Sequence, residues 1–175
     1  DGTEWVDRAS FLERHRAELA GTDLSLFENG LAGWERTSND PTIATRIELV
    51  DDAEVGKALH VRIPVLNNWD TFRSPELSAP FADGASLTVF MARGGPRTTE
   101  LAVEWTEWDG SRWIATVPLT DQWQFYVLRP EDFRYWESLP SRQQDRFQPE
   151  NAKWIVFGLA LTHTALSGDN HEYWV

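Results

Sequence analysis

Glu100, Glu104 and Glu107 lie close together in one apolar-alternating stretch, and paired carboxylates are the working parts of glycoside hydrolysis. Such a pair must face one bond with its carboxyl groups about 5–9.5 Å apart. Side chains alternate along an extended strand, so Glu104 and Glu107 point to opposite faces and do not make the pair. His60, Arg62, Gln124 and Tyr126 suggest a different chemistry, with tyrosine as acid–base and arginine neutralising a uronate, as in a polysaccharide lyase. The motifs that would fix that assignment are missing. His163 and His171 are isolated in sequence and read as solvated or hydrogen-bonded histidines rather than metal ligands. No phosphate loop, nucleophile elbow or zinc-ligand spacing is present.

Binding is better supplied than catalysis. The chain carries ten tryptophans, and an indole N–H needs a partner once buried, so some of these rings are expected at a surface. Three fall in Val103–Ile114, around Asp109-Gly110, a strong two-residue hairpin signal. Aromatic planes beside planar hydrogen-bonding groups suit a sugar, whose C–H faces stack on rings while its hydroxyls take paired bonds from Arg, Glu and Gln.

Charge and composition narrow the partners. The net charge is −12, with 28 acidic against 16 basic residues, which disfavours nucleic acid, where affinity comes from neutralising phosphates. It weighs also against strongly anionic polysaccharides unless basic residues cluster locally. No apolar run approaches the ~18 residues of a membrane span, so membrane insertion is not expected. Cysteine is absent, which excludes disulfides and thiolate metal sites. The chain starts at Asp1 with no leader, as a mature or excised piece would.

The elements that must position these residues divide the chain in two. Residues 1–22 read as a helical lead-in or linker, with Ser10 and Glu13 as a capping box and Gly21 as a stop. Residues 23–175 read as short strands over 24–28, 42–50, 58–65, 86–93, 100–108, 111–118, 123–128, 154–161 and 173–175, with turn residues between them. Eight or nine strands without a long helix predict an all-β antiparallel β-sandwich, a jelly roll, with a short N-terminal helix. Residues 130–152 form the one long irregular connection, an ordered loop or short helix.

Alternation then assigns faces. Leu59, Val61, Ile63 and Val65 point to the core, with His60 and Arg62 outward; Leu87, Val89 and Met91 point in, with Thr88 and Phe90 outward. Leu101, Val103 and Trp105 point in, with Glu104, Thr106 and Trp108 outward; Trp123, Phe125 and Val127 point in, with Gln124 and Tyr126 outward. A two-residue turn at Asp109-Gly110 sets Glu107 opposite Arg112 and Thr106 opposite Trp113, which puts Trp113 on the polar face. A three-residue turn would send Trp113 to the core. The expected binding residues are therefore Trp108, Trp113, His60, Arg62, Glu104, Gln124 and Tyr126. Trp69 in the Asn67-Asn68-Trp69-Asp70 loop and Trp136 in the Arg134–Glu137 loop are added as loop candidates.

Several motifs resemble galactose-binding-domain-like carbohydrate-binding modules. These are Leu26-Phe27-Glu28-Asn29-Gly30 followed by Gly33-Trp34, Gly56-Lys57-Ala58-Leu59-His60-Val61, Trp123–Leu128 followed by Asp132-Phe133, Ile155–Leu159, and Tyr173-Trp174-Val175. The resemblance implies a secreted, extracellular or periplasmic, bacterial-like module without catalysis. Such a module binds a polysaccharide or oligosaccharide and targets an attached or neighbouring glycoside hydrolase domain to it. It also implies a structural Ca²⁺ held in part by Glu28. Two alternatives stay open: a jelly roll that packs on a glycosidase and binds no sugar, and a small jelly-roll lyase or hydrolase.

Overall fold

The computed structural model describes residues 8–16, 27, 30–81, 84–136 and 146–175. Among them are a seven-residue helix, α1 (Arg8–Arg14), and eleven strands: β1 (Glu35–Ser38), β2 (Arg46–Asp52), β3 (Gly56–Leu66), β4 (Trp69–Arg73), β5 (Thr88–Gly94), β6 (Glu100–Glu107), β7 (Arg112–Pro118), β8 (Gln124–Leu128), β9 (Arg134–Trp136), β10 (Ala152–Ala160) and β11 (Gly168–Trp174). They form a six-stranded sheet in the order β1-β4-β10-β6-β7-β9 and a five-stranded sheet in the order β2-β3-β11-β5-β8. All pairings are antiparallel. The predicted all-β sandwich with a short N-terminal helix is what the chain adopts. No described helix is long and apolar enough to cross a membrane.

The core forms where the alternating apolar sets of the two sheets meet. Leu59, Val61 and Ile63 of β3 and Tyr173 of β11 face Leu101, Val103 and Trp105 of β6, Trp113, Ala115 and Val117 of β7, and Phe157 and Leu159 of β10. Trp105 satisfies its indole by donating Nε1–H to Thr88 Oγ1 at 2.9 Å, the partner that a buried tryptophan requires.

The Asp109-Gly110 hairpin takes the three-residue form. Thr106 pairs with Arg112 and Trp105 with Trp113, leaving Trp108-Asp109-Gly110 as the loop. Gly110 donates to the Glu107 carbonyl at 3.0 Å with φ +86°, and Ser111 N–H donates to Asp109 Oδ1 at 2.9 Å. This is the turn-plus-left-handed-glycine arrangement of three-residue hairpins. Trp113 is 1% exposed, so its expected place on the polar face is wrong, and Arg112 does not pair with Glu107. The two-residue register would have turned Arg112, Ile114 and Thr116 inward in place of Trp113, Ala115 and Val117. Burial of the larger apolar set decides the register.

The faces of β5 and β8 are also reversed from expectation. Phe90 packs edge-on against Phe157 of the opposite sheet at 5.7 Å, so Thr88, Phe90 and Ala92 point inward. Their ladder partners Leu128, Tyr126 and Gln124 share that face. Phe125 points outward and meets Phe11 of α1 at 5.5 Å. Both faces of these two strands are apolar because the helix covers the outer one, so alternation alone could not orient them.

Two further differences concern boundaries. The helix begins at Arg8, so Ser10 lies within it rather than at its cap. Trp69–Arg73 and Arg134–Trp136 are strands rather than loops. The expected strand at 24–28 lies outside the described residues apart from Phe27, which packs beside Trp34.

Candidate functional site

With Trp105, Trp113, Ile155 and Phe157 turned inward, alternation sends a defined set to the outer face of the six-stranded sheet. It comprises Ala102, Glu104 and Thr106 of β6, Arg112, Ile114 and Thr116 of β7, and Trp154, Val156 and Gly158 of β10. Trp69, Thr71 and Arg73 of β4 and Arg134 and Trp136 of β9 complete it. The outer face of a sheet is ordinarily solvated, yet Ala102, Glu104, Thr106, Ile114 and Val156 are each 9% exposed or less. These central positions form the sheltered floor of a trough.

One rim is aromatic and cationic. Lys153 Nζ sits 4.2 Å from the centroid of the Trp154 ring and 4.8 Å from that of Trp108, and Arg73 lies 4.3 Å from the Trp154 centroid. Lys153 is in turn held by Glu76 at 2.8 Å. Trp108, at the hairpin tip, remains 56% exposed. The opposite rim is built by the β10–β11 connection, which folds across the face. Thr116 Oγ1 donates to the His163 carbonyl at 2.6 Å, Ala165 N–H donates to Glu100 Oε2 at 2.6 Å, and the His163 ring meets Trp136 edge-on at 4.4 Å.

At the centre, Arg112 grips Glu104 through two parallel bonds of 2.8 Å, Nε to Oε1 and Nη2 to Oε2, while Thr106 Oγ1 donates to Glu104 Oε1 at 3.2 Å. Two-pronged arginine–carboxylate pairs have a fixed geometry. A ligand therefore meets oriented acceptor and donor groups that need little rearrangement. Burial holds the His163 imidazole below its ordinary pKa, with Glu104 pulling it up and Arg112 pushing it down.

The carboxylates of this face stand on well-separated backbone positions. Glu35 shares a row with Glu104 through Arg73 and Val156. It stands three strand spacings away, roughly 14 Å between backbones at ~4.8 Å each, with its carboxylate engaged by Arg73. Glu100 lies four residues along β6, again roughly 14 Å. Glu107 turns inward and accepts the Gln148 N–H at 2.9 Å.

Of the residues expected from sequence, Glu104, Trp136, Trp69 and Trp108 come to this face or its edges. His60 and Arg62 lie on the outer face of the other sheet, across the sandwich. There His60 is 4% exposed, stacked on Trp174 at 4.4 Å and bonded to Glu172. Gln124 and Tyr126 point inward. The Tyr126 ring stacks on Phe90 at 5.2 Å, its hydroxyl donates to the Pro118 carbonyl, and burial pushes its pKa up to about 12. The binding set expected from His60 to Tyr126 therefore falls into three separate environments. Arg112, Trp154, Lys153 and His163 were missed. Arg112 follows from the three-residue turn, and Trp154 from alternation with Ile155 and Phe157. Glu28 lies outside the described residues, and among the described ones no three histidine, aspartate or glutamate side chains gather to hold a metal ion. The calcium that the resemblance implies therefore rests on Glu28 alone.

No protein-family model and no curated protein matches the chain. Solved structures match by shape. The chain is similar to the family 11 carbohydrate-binding module of a Clostridium thermocellum cellulosomal cellulase, at 12% identity over 83% of this chain and 85% of that one, with a TM-score of 0.62. It is similar to a Clostridium thermocellum family 11 module in complex with a β-1,3-1,4-mixed-linked tetrasaccharide, at 14% identity over 82% and 89%, TM-score 0.62. It is also similar to part of an exo-β-agarase, at 8% identity, TM-score 0.55, with 82% of this chain spanning 22% of that enzyme. The chain thus has the jelly-roll fold of carbohydrate-binding modules.

Proposed function

We propose that the domain binds a polysaccharide or oligosaccharide, without catalysis, on the outer face of its six-stranded sheet. One observation carries the reading: the floor of that face holds an oriented Glu104–Arg112 pair between aromatic rims. Rings supply stacking area and the fixed pair supplies oriented polar atoms beside them, which is the chemistry a pyranose asks for. The fold shared with carbohydrate-binding modules supports it. Attachment to a glycoside hydrolase and an extracellular location extend the same proposal. The calcium at Glu28 extends it too; a lower melting temperature with a chelator, restored by Ca²⁺, would support it.

The test is affinity electrophoresis across neutral polysaccharides, mixed-linkage β-glucan and agarose among them, with the Trp108→Ala, Trp154→Ala and Arg112→Ala variants. Retardation by one glycan and its loss in these variants is the expected result. Retardation by none of them sinks the reading.

A second reading has its own observation. Trp69 is 39% exposed, and Val65 and Leu161 are each 44% exposed. They share one end of the sandwich, where Leu161 N–H bonds the Asn68 carbonyl at 2.8 Å. An apolar end of this kind suits packing against a neighbouring catalytic domain. Absence of glycan binding, together with domain association lost in Leu161→Asp, would favour it.

A further inference from the structure

On the five-stranded sheet, Arg46 of β2 stands directly opposite Arg62 of β3. Like charges facing across a ladder repel and destabilise the pair. The nearby carboxylates are largely committed elsewhere. Glu172 accepts from His60 Nε2 at 2.7 Å and from Arg62 Nε at 2.9 Å, and Glu48 lies 3.2 Å from His60 Nδ1. Burial alone would raise the Glu172 pKa, but the bonds from His60 and Arg62 outweigh it and hold the carboxyl below its ordinary value. Only Nε of Arg62 is used in this arrangement. Its terminal nitrogens and the whole Arg46 guanidinium have no hydrogen-bonding or ion-pairing partner among the described residues.

Both arginines, with Ala44, Pro64, Asn170 and Glu172, line an open depression of about 420 Å³. That volume lies within the range of small-molecule sites. Arg62 is pinned by Glu172 through Nε, so its remaining fork is held rather than free to rotate. Adjacent guanidinium groups with unfilled forks match an oxyanion, which accepts paired bonds from each.

We propose that this depression binds a single oxyanion, the carboxylate or sulfate ester of a sugar, between Arg46 and Arg62. The anion chemistry stands on the two arginines; that the anion is carried by a sugar rests on the glycan reading above. The net charge of −12 repels a polyanion at long range, so the ligand is an otherwise neutral saccharide bearing one acidic group. The site lies across the sandwich from the trough and works independently of it.

The test follows arginine Hε signals by ¹H–¹⁵N NMR at constant ionic strength, titrating sodium sulfate, galacturonate or galactose. Saturable shifts at Arg46 and Arg62 with sulfate or galacturonate, at a Kd on the order of 1–10 mM, are expected, and none with galactose. Saturation by only one of the two anions selects the sulfate ester or the carboxylate. The Arg46→Gln variant should weaken binding about tenfold, with Arg46→Lys intermediate because it keeps the charge but not the fork. Linear, unsaturated shifts, or equal binding in Arg46→Gln, would overturn the site. Trp108→Ala should leave these titrations unchanged. Neutral-glycan electrophoresis therefore fails separately: its failure removes the sugar as carrier while sulfate saturation still establishes the oxyanion site.

Discussion

Arg112 on β7 holds the buried carboxylate of Glu104 on β6 through two parallel bonds of 2.8 Å. The pair crosses the β6–β7 ladder diagonally, since Glu104 itself lies opposite Ile114 and Arg112 opposite Thr106. The three-residue turn at Trp108–Gly110 makes that contact possible by bringing Arg112 to the face where Glu104 already stands. Arg112→Met should destabilise the domain by about 1–3 kcal/mol, the cost of stranding a sheltered charged acceptor. Glu104→Gln, which keeps the shape, should cost less. Urea unfolding of the two variants checks the order; equal stability in Arg112→Met and the parent would show that the pair holds nothing in place.

The two hairpin tryptophans should separate cleanly. Trp113→Ala empties a core position and is expected to lose about 3–5 kcal/mol. Trp108→Ala, at the exposed tip, should change stability by less than about 1 kcal/mol while weakening glycan retardation. Urea midpoints read alongside affinity electrophoresis test this. Small and similar stability losses at both positions would restore the two-residue register, in which both rings stand on the polar face.

Gly110 isolates backbone conformation from packing. Its φ is +86° and a Cβ placed there meets nothing within 4 Å, so Gly110→Ala should cost about 1–2 kcal/mol from the left-handed conformation alone. Gly158→Ala acts differently. Its Cβ would come within 2.6 Å of the Asp70 carbonyl and the Thr71 Cα, so β4 and β10 would have to separate. The expectation is a larger loss for Gly158→Ala, accompanied by faster amide exchange in β4, which native-state hydrogen exchange measures.

How far the sequence foretold these features depended on what covered each face. β6 alternates as expected, with Leu101, Val103 and Trp105 inward, and β3 does so for Leu59, Val61 and Ile63, because one side of each meets the core and the other is polar. Val65, expected in the core, is instead 44% exposed near the end of β3. β5 and β8 are apolar on both sides: Phe90 meets Phe157 in the core and Phe125 meets Phe11 of the helix. No periodicity distinguishes such faces. β1, β4 and β9 are short and polar, and Asn67-Asn68 ahead of Trp69 reads as loop until the ladder to β10 is known. In the trough, Glu104 and Trp108 were legible from alternation. Arg112 required the turn length, and His163 required a connection that folds back over the sheet, which no local pattern encodes.

Acid should weaken the fold in two stages, with the same sign in each. Burial lowers the pKa of His163 and His171 from 6.5 in the folded protein. The unfolded chain then binds more protons, and stability falls as pH drops below about 6.5 until the folded imidazoles also titrate. Glu172 is lowered from 4.5 and Asp40 from 3.8. Their stabilisation is complete above those values and lost as pH falls through the folded pKa of each. Stability is therefore expected to decline from neutral pH downward, with one slope near pH 6 and another below about 4.5. His163→Gln should flatten the upper slope, because it removes a group that charges only on unfolding, and leave the lower slope intact. Urea midpoints measured at intervals between pH 8 and 3 give both slopes. An unchanged upper slope in both His163→Gln and His171→Gln would show that neither imidazole is held neutral by its surroundings.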